Sequence, residues 1–128
     1  MKKDQALVAI LISAKANKPT KQIPCDENGT MPLETLEKLV GGNLVVIPVP
    51  VRSNSVLVVS RDAKEAGKPL NMVATVLSQE TANPIVGDAV LMKEVGNRLI
   101  GFRPCNATEH GRLCSTIQSL IERLSEHK

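Results

Sequence analysis

Aromatic residues are almost absent from this 128-residue chain, which has one phenylalanine, Phe102, and no tryptophan or tyrosine. Its core must therefore be built from valine, leucine, isoleucine, alanine and methionine, and β-branched residues among these favour strands. Proteins that bind single-stranded nucleic acids stack the bases on aromatic side chains. The shortage of aromatic side chains and a mild net charge of +3 argue against nucleic acid as a partner.

Cysteine and histidine are too few and too widely spaced for a metal site or a disulfide framework. The three cysteines form no C-x-x-C pair, and neither histidine completes a zinc pattern. Free thiols are typical of a reducing compartment, so we expect a cytoplasmic protein without metal or other cofactor. His127 stands where chain ends fray, which leaves His110 as the histidine suited to a buried or catalytic position.

Long apolar runs are also missing, and no stretch reaches the roughly 20 residues that a membrane-spanning helix needs. The run ALVAILISA at 6–14 resembles the core of a signal peptide, but Asp4 and Gln5 precede it. We interpret this run as a buried first strand, and we expect no membrane partner.

Motifs of the common enzyme classes are absent: there is no Walker loop, G-x-G-x-x-G, G-x-S-x-G or H-E-x-x-H. His110 and Cys114 are one helical turn apart, but a helix would place the cysteine on its apolar side. Asp62 and Asp88 stand alone, whereas glycosidase or metal chemistry needs converging acids. We predict a non-enzymatic protein, with an enzyme that uses His110 or Asp88 as its base as an alternative.

The segment MPLETLEKLVGG at 31–42 predicts a short helix. Pro32 suits the first helical position, and Gly41 suits the left-handed residue that ends a helix. Glu34 and Lys38 are spaced for an i, i+4 ion pair on the exposed face. The apolar stripe consists of Leu33, Leu36, Leu39 and Val40.

Two neighbouring segments predict a hairpin. NLVVIPVPV at 43–51 and SVLVVS at 55–60 are extended and apolar, and the polar turn RSNS joins them. Because proline cannot donate a ladder hydrogen bond, Pro48 and Pro50 indicate that the end of the first strand lies at a sheet edge or leaves the sheet.

The second half of the chain predicts one more helix and a second hairpin. NMVATVLSQ at 71–79 has helical spacing of its valines and leucine, and Asn71 suits its N-cap. IVGDAVLMK at 85–93 and NRLIGF at 97–102 are strands joined by the tight turn EVGN. The polar segments NKPTKQIPCDENGT and ETANP, at 17–30 and 80–84, predict loops, with Ile23 in the first as a candidate for the start of a short pairing segment.

The last segment predicts an amphipathic helix with five aliphatic residues on one face. They are Leu113, Ile117, Leu120, Ile121 and Leu124. This stripe packs either on the domain or on a second copy, and we expect a homo-oligomer, dimer or higher. The chain as a whole predicts an α+β fold: a compact domain at 1–104 with a mostly antiparallel small sheet and two short helices, and a C-terminal helix at 105–128.

Three groups of residues together resemble a family of small domains of unknown function found in phages, conjugative elements and their bacterial hosts. They are Val40, Gly41 and Gly42; Pro69, Asn71, Ala74 and Thr75; and Gly87 and Asp88. The resemblance covers about residues 6–102. It implies an accessory protein of a mobile element, in the host cytoplasm if phage-encoded. Such proteins often act by binding, either blocking a host protein or sequestering a nucleotide signal used in defence.

A binding site for a small anionic ligand can be drawn from seven residues near these motifs. They are Arg61, Lys68, Asn71, Thr75, Asp88, Phe102 and Arg103. The N-terminus of the helix that begins at Asn71 would offer free N–H groups to a phosphate. Phe102 and Arg103 would clamp a base by stacking.

Two readings of the function compete most closely. The first is a protein that sequesters a nucleotide or cyclic nucleotide signal, in an Arg- and Asn-lined pocket that an oligomer interface completes. The second is a protein-interaction module that inhibits a host protein through the C-terminal helix or an open sheet edge. An enzyme that cleaves a nucleotide signal is the third.

Overall fold

The protein folds as an α+β domain, as the sequence predicts. The structure, a computed structural model, describes residues 7–15, 20–50, 54–79 and 83–126. In these ranges the chain forms β1 (Val8–Ile12), β2 (Lys21–Pro24), α1 (Leu33–Val40), β3 (Leu44–Pro48), β4 (Ser55–Ser60), α2 (Met72–Ser78), β5 (Ala89–Val95), β6 (Arg98–Ile100) and α3 (Pro104–Glu126). The predicted turn at 52–55 and loop at 80–84 lie largely outside the described residues.

The six described strands form one sheet in which every pairing is antiparallel. Their order is β2-β1-β5-β4-β3, and β6 pairs with the second half of β5. The predicted hairpin of β5 and β6 turns over two residues, Gly96 and Asn97. Gly96 has a φ of 62°, as a type II′ turn requires at this position.

Helices cover both faces of the sheet, and the strands alternate between two cores as a period of two demands. Leu57 and Leu91 point to the core under α2 and α3. Val58 and Val90, their neighbours in the chain, point to the core under α1. All six residues of β4 are buried, because this strand has a neighbour on each side and a helical layer above and below.

Helix α1 ends as predicted but begins one residue later than predicted. Pro32 is the residue before the helix, and Gly41 takes the left-handed conformation with a φ of 86°. Leu33 of the expected apolar stripe is 66% exposed, whereas Leu36 and Val40 are buried. A helix of eight residues makes only about two turns, so its sheet-facing side has room for few side chains.

Of the two edges of the sheet, the sequence clearly predicts only the edge formed by β3. β3 is an edge strand, as its prolines predict. Its hydrogen bonds to β4 flank Pro48, with the Val49 N–H donating to the Ser55 carbonyl at 3.0 Å, so the Pro48 nitrogen faces away from β4. The other edge, β2, lies inside a segment predicted to be a loop. Its polar, mostly exposed residues resemble those of a loop because only one neighbouring strand pairs with them.

Helix α3 packs on its own domain. Ala107, Cys114 and Ile117 belong to the core that α3 shares with α2 and β1. The aliphatic stripe changes surroundings along the helix, because Leu120 and Leu124 are 51% and 71% exposed. No helix of the described residues is long and apolar enough to cross a membrane.

Candidate functional site

A cavity of about 320 Å³ lies where four segments of the chain meet. We call it the lysine cavity. The end of β1, the C-terminus of α1, the connector between β4 and α2, and the segment before β5 each supply part of its lining. The lining residues are Lys15, Lys38, Leu39, Val40, Gly41, Lys68, Pro69, Gly87 and Asp88.

Backbone hydrogen bonds hold two of these segments together. The Gly87 N–H donates to the Pro69 carbonyl at 2.7 Å, and Leu70 and Val86 form an isolated antiparallel bridge. Gly87 has a φ of 82°, and a Cβ there would lie 3.2 Å from the Cβ of Ala63. A side chain at position 87 would therefore be strained and crowded at once.

Asn71 joins three parts of the chain directly behind the cavity. Its side-chain oxygen accepts the Ala74 N–H at 3.1 Å, which is the predicted N-cap of α2. Its side-chain nitrogen donates to the Ile12 carbonyl at 3.0 Å and to the Gly87 carbonyl at 2.9 Å. Asn71 is 1% exposed, and both amide hydrogens already have acceptors. The residue therefore shapes the cavity from behind.

Thr75 has a similar position one turn along α2. Its hydroxyl oxygen accepts the Ile85 N–H at 2.8 Å and donates to the Asn71 carbonyl at 2.8 Å. This hydroxyl ties the helix to the segment that leads into β5. Thr75 is buried and does not line the cavity itself.

Three lysines and one aspartate give the described residues of the lining a net charge of +2. Among the described residues, no carboxylate forms an ion pair with Lys15, Lys38 or Lys68. The predicted pair of Glu34 with Lys38 is not formed. Lys38 lies instead in the last turn of α1, where the helix dipole favours a cation.

Asp88 is tied to the segment that carries Lys15. Its Oδ1 accepts the Ala14 N–H at 2.9 Å, which fixes the chain one residue before the lysine. Asp88 is partly buried and lines the cavity. No other described residue donates a hydrogen bond to its carboxylate.

Three of the predicted site residues lie elsewhere. Phe102 is 4% exposed and its ring centre lies 4.3 Å from that of His110, so the ring belongs to the core and has no free face for a base. Arg103 is exposed just before α3, and Arg61 is exposed after β4. Neither arginine lines the lysine cavity. The structure does not bring the predicted clamp to the cavity.

The chemistry of the lining suits binding. The described lining residues contribute ammonium groups, one carboxylate, backbone and the apolar side chains of Leu39, Val40 and Pro69, but no histidine, cysteine or hydroxyl group. Burial raises the pKa of the Cys114 thiol to about 11. Among the described residues, no group of three His, Cys, Asp or Glu side chains could hold a metal ion.

A second cavity of about 530 Å³ lies between β1, the segment around β2, and α3. Its charged lining residue is Arg112, and the other polar contributions are Gln22 and hydroxyl groups. It shares no lining residue with the lysine cavity, and none of the residues that carry the family resemblance line it.

The sequence reasoning found Lys68 and Asp88 and missed the other two charged residues of the cavity. The sequence predicts Lys38 in an ion pair on the exposed face of α1 and gives no signal for Lys15 as a site residue. A signal for the site was nevertheless present. Val40, Gly41, Pro69, Gly87 and Asp88 all belong to the motifs, and all line one cavity.

Known proteins offer no relative with which the lysine cavity could be compared: no family model matches the chain, and no curated protein or solved structure matches it either. The lining residues, their hydrogen bonds and their charges are accordingly what supports an assignment of function.

Proposed function

We propose that this protein is a non-enzymatic binding protein for a small anionic ligand, and that the lysine cavity is its site. The observation that carries the proposal is the convergence of Lys15, Lys38 and Lys68 from three separate segments on one concavity. All three lysine side chains are exposed, so an anion that enters the concavity can reach and attract their ammonium groups.

The size of the cavity limits the ligand. Cavities that bind small molecules have volumes of roughly 300–1,000 Å³, and the lysine cavity is at the lower end of this range with about 320 Å³. It suits a mononucleotide or one half of a cyclic dinucleotide. Three lysines provide point charges on flexible stems, which are well suited to phosphate oxygens.

The biological setting of the proposal comes from the motif resemblance. If the protein belongs to a phage or another mobile element, a nucleotide or cyclic nucleotide signal of host defence is the natural anionic ligand. The protein would then act in counter-defence by sequestering the signal. Sequestration needs affinity and abundance but no turnover, and the charged groups of the described lining residues can supply the affinity.

The first experiment asks whether the purified protein carries a ligand. Because the chain has no tryptophan or tyrosine, a bound nucleobase would dominate the near-ultraviolet spectrum. Mass spectrometry of the heat-released filtrate would identify the ligand. The binding constants of AMP and of cyclic nucleotides are then measured by isothermal titration calorimetry.

A charge-matched pair of triple variants locates the site. In the test variant Lys15, Lys38 and Lys68 become glutamine. In the control variant three exposed cations outside the cavity, Lys21, Arg98 and Arg123, become glutamine. We expect the test variant to bind at least roughly a hundredfold more weakly, since each lost charge contributes about 1 kcal/mol or more. The proposal fails if both variants bind alike, or if the wild-type protein binds no phosphate compound.

One observation supports the homo-oligomer that the C-terminal helix predicts. Leu120 and Leu124 expose apolar surface on α3 beyond the part that packs on the domain. We propose that this surface makes the homo-oligomer. Light scattering after size-exclusion chromatography tests it with a double Leu→Ser variant. A smaller assembly is expected, and an unchanged oligomer, or a wild-type monomer, contradicts self-association.

A further inference from the structure

Asp88 is the one acidic side chain among the described residues that line the lysine cavity. A carboxylate there weakens the attraction of the lysines for any anion, so a site that recognised only the negative charge of its ligand would not contain a carboxylate. It also holds Lys15 in place: Oδ1 accepts the Ala14 N–H at 2.9 Å. An asparagine could make that hydrogen bond without the charge, so anchoring alone does not require an aspartate.

The second carboxylate oxygen explains what the aspartate adds. No described residue donates to Oδ2 of Asp88, and the residue lines the cavity while partly buried. A carboxylate oxygen can only accept hydrogen bonds. A ligand with a hydroxyl or amino group beside its phosphate would satisfy this oxygen, whereas a bare phosphate would only be repelled by it.

We propose that Asp88 is the specificity-determining residue of the cavity and selects phosphate esters that carry a sugar hydroxyl or an amino donor. This inference rests on the proposed function of the lysine cavity. The ligand class is a sugar phosphate or nucleotide, and the lysines bind its phosphate while Oδ2 of Asp88 accepts the donor. Inorganic polyphosphates and simple alkyl phosphates are discriminated against.

Two phosphate monoesters separate donor recognition from charge. Ribose 5-phosphate and methyl phosphate carry the same phosphate group, but only the former has sugar hydroxyls. Calorimetric titration of the wild-type protein with both should give a preference of about tenfold or more for ribose 5-phosphate, since hydrogen bonds to a charged acceptor are among the stronger ones.

The Asp88→Asn variant tests the residue. The asparagine keeps an oxygen for the Ala14 N–H and presents an amide N–H₂ where the acceptor was. Methyl phosphate should then bind roughly threefold to tenfold more tightly because a nearby negative charge is gone, while ribose 5-phosphate gains nothing. The preference should therefore decrease towards one. Asp88→Ala, which also removes the anchor of Ala14, should weaken the binding of both esters relative to Asp88→Asn.

Glu94→Gln is the matched control, because Glu94 is exposed on β5 roughly 20 Å from Asp88. It should change neither affinity more than about twofold, since screening is nearly complete at that distance. If Asp88→Asn raises the affinity for both esters by the same factor, Asp88 is only a background charge and the inference is wrong. A wild-type protein that binds both esters equally overturns the inference and leaves the proposed function. One that binds neither overturns both.

Discussion

Replacing Asn71 by alanine should destabilise the fold strongly, because the buried amide of Asn71 connects three parts of the backbone by hydrogen bonds. The amide makes three hydrogen bonds, to Ala74, Ile12 and Gly87. Alanine removes all three and leaves their backbone partners buried.

The magnitude follows from these bonds taken one by one. Loss of an N-cap costs about 1 kcal/mol. Each buried carbonyl that loses its donor costs about 1–2 kcal/mol more. The expected decrease in the free energy of unfolding is therefore about 3–5 kcal/mol, a large part of the 5–15 kcal/mol that is usual for a domain.

Asn71→Ser separates the cap from the two donor bonds. Serine is a good N-cap residue, but its hydroxyl cannot reach two carbonyls and the Ala74 N–H together. We expect it to recover about 1 kcal/mol relative to Asn71→Ala. The exposed Asn106 on α3 provides the control, and Asn106→Ala should change stability by less than about 0.5 kcal/mol.

The assay is urea denaturation followed by far-ultraviolet circular dichroism, because the chain has no tryptophan to report by fluorescence. A loss below about 1.5 kcal/mol in Asn71→Ala would show that the bonds to Ile12 and Gly87 contribute little to stability. An Asn71→Ser variant as unstable as Asn71→Ala would show that the cap is unimportant.

Two further predictions concern glycines and thiols. Gly101→Ala should lower the free energy of unfolding more than Gly41→Ala, because a Cβ at 101 would lie 2.8 Å from the backbone of Val8 while a Cβ at 41 meets no atom. We expect losses of about 3 kcal/mol and about 1 kcal/mol, measured by chemical denaturation. Equal losses would contradict the close approach of Gly101 to Val8. A thiol reagent at about pH 8 should modify the exposed Cys105 fastest and the buried Cys114 only on unfolding. The reason is that burial shields the Cys114 thiol and raises its pKa to about 11. Rapid modification of Cys114 in the folded protein, measured by mass spectrometry, would contradict its burial.

Much of the fold could be predicted from the sequence because its segments carry strong local signals. The valine-rich runs, the glycine that ends α1 and the two-residue turn before β6 each specify their own conformation. β2 gave a signal only at Ile23, since this short and mostly exposed edge strand lies in a segment with the composition of a loop. The burial of Phe102 against His110 depends on how α3 docks, which no local pattern determines.

The candidate site was harder to predict because its residues are also brought together by tertiary packing, which no local pattern determines. Asn71 was correctly predicted as a cap, but its bonds to Ile12 and Gly87 link positions 59 and 16 residues away along the chain. Lys15 follows β1 and Lys38 lies on α1, so both residues line one cavity only because α1 packs against the sheet. Residue types could suggest an anion site, but only the tertiary structure shows which lysines line one cavity.

The bond between Ala14 and Asp88 joins residues 74 positions apart, which has a consequence for the order of folding. Closing so large a loop is slow in comparison with forming a helix or hairpin. During synthesis, the first strand must wait until β5 has left the ribosome before the cavity exists. A ligand can therefore bind only the completed sheet, and at a hundred times its Kd it would add about 2.7 kcal/mol to the stability of that state alone. In a cell with a high concentration of the ligand, binding would shift the folding equilibrium of newly synthesised copies towards the native state. These copies would be protected from proteases as soon as their last strands pair.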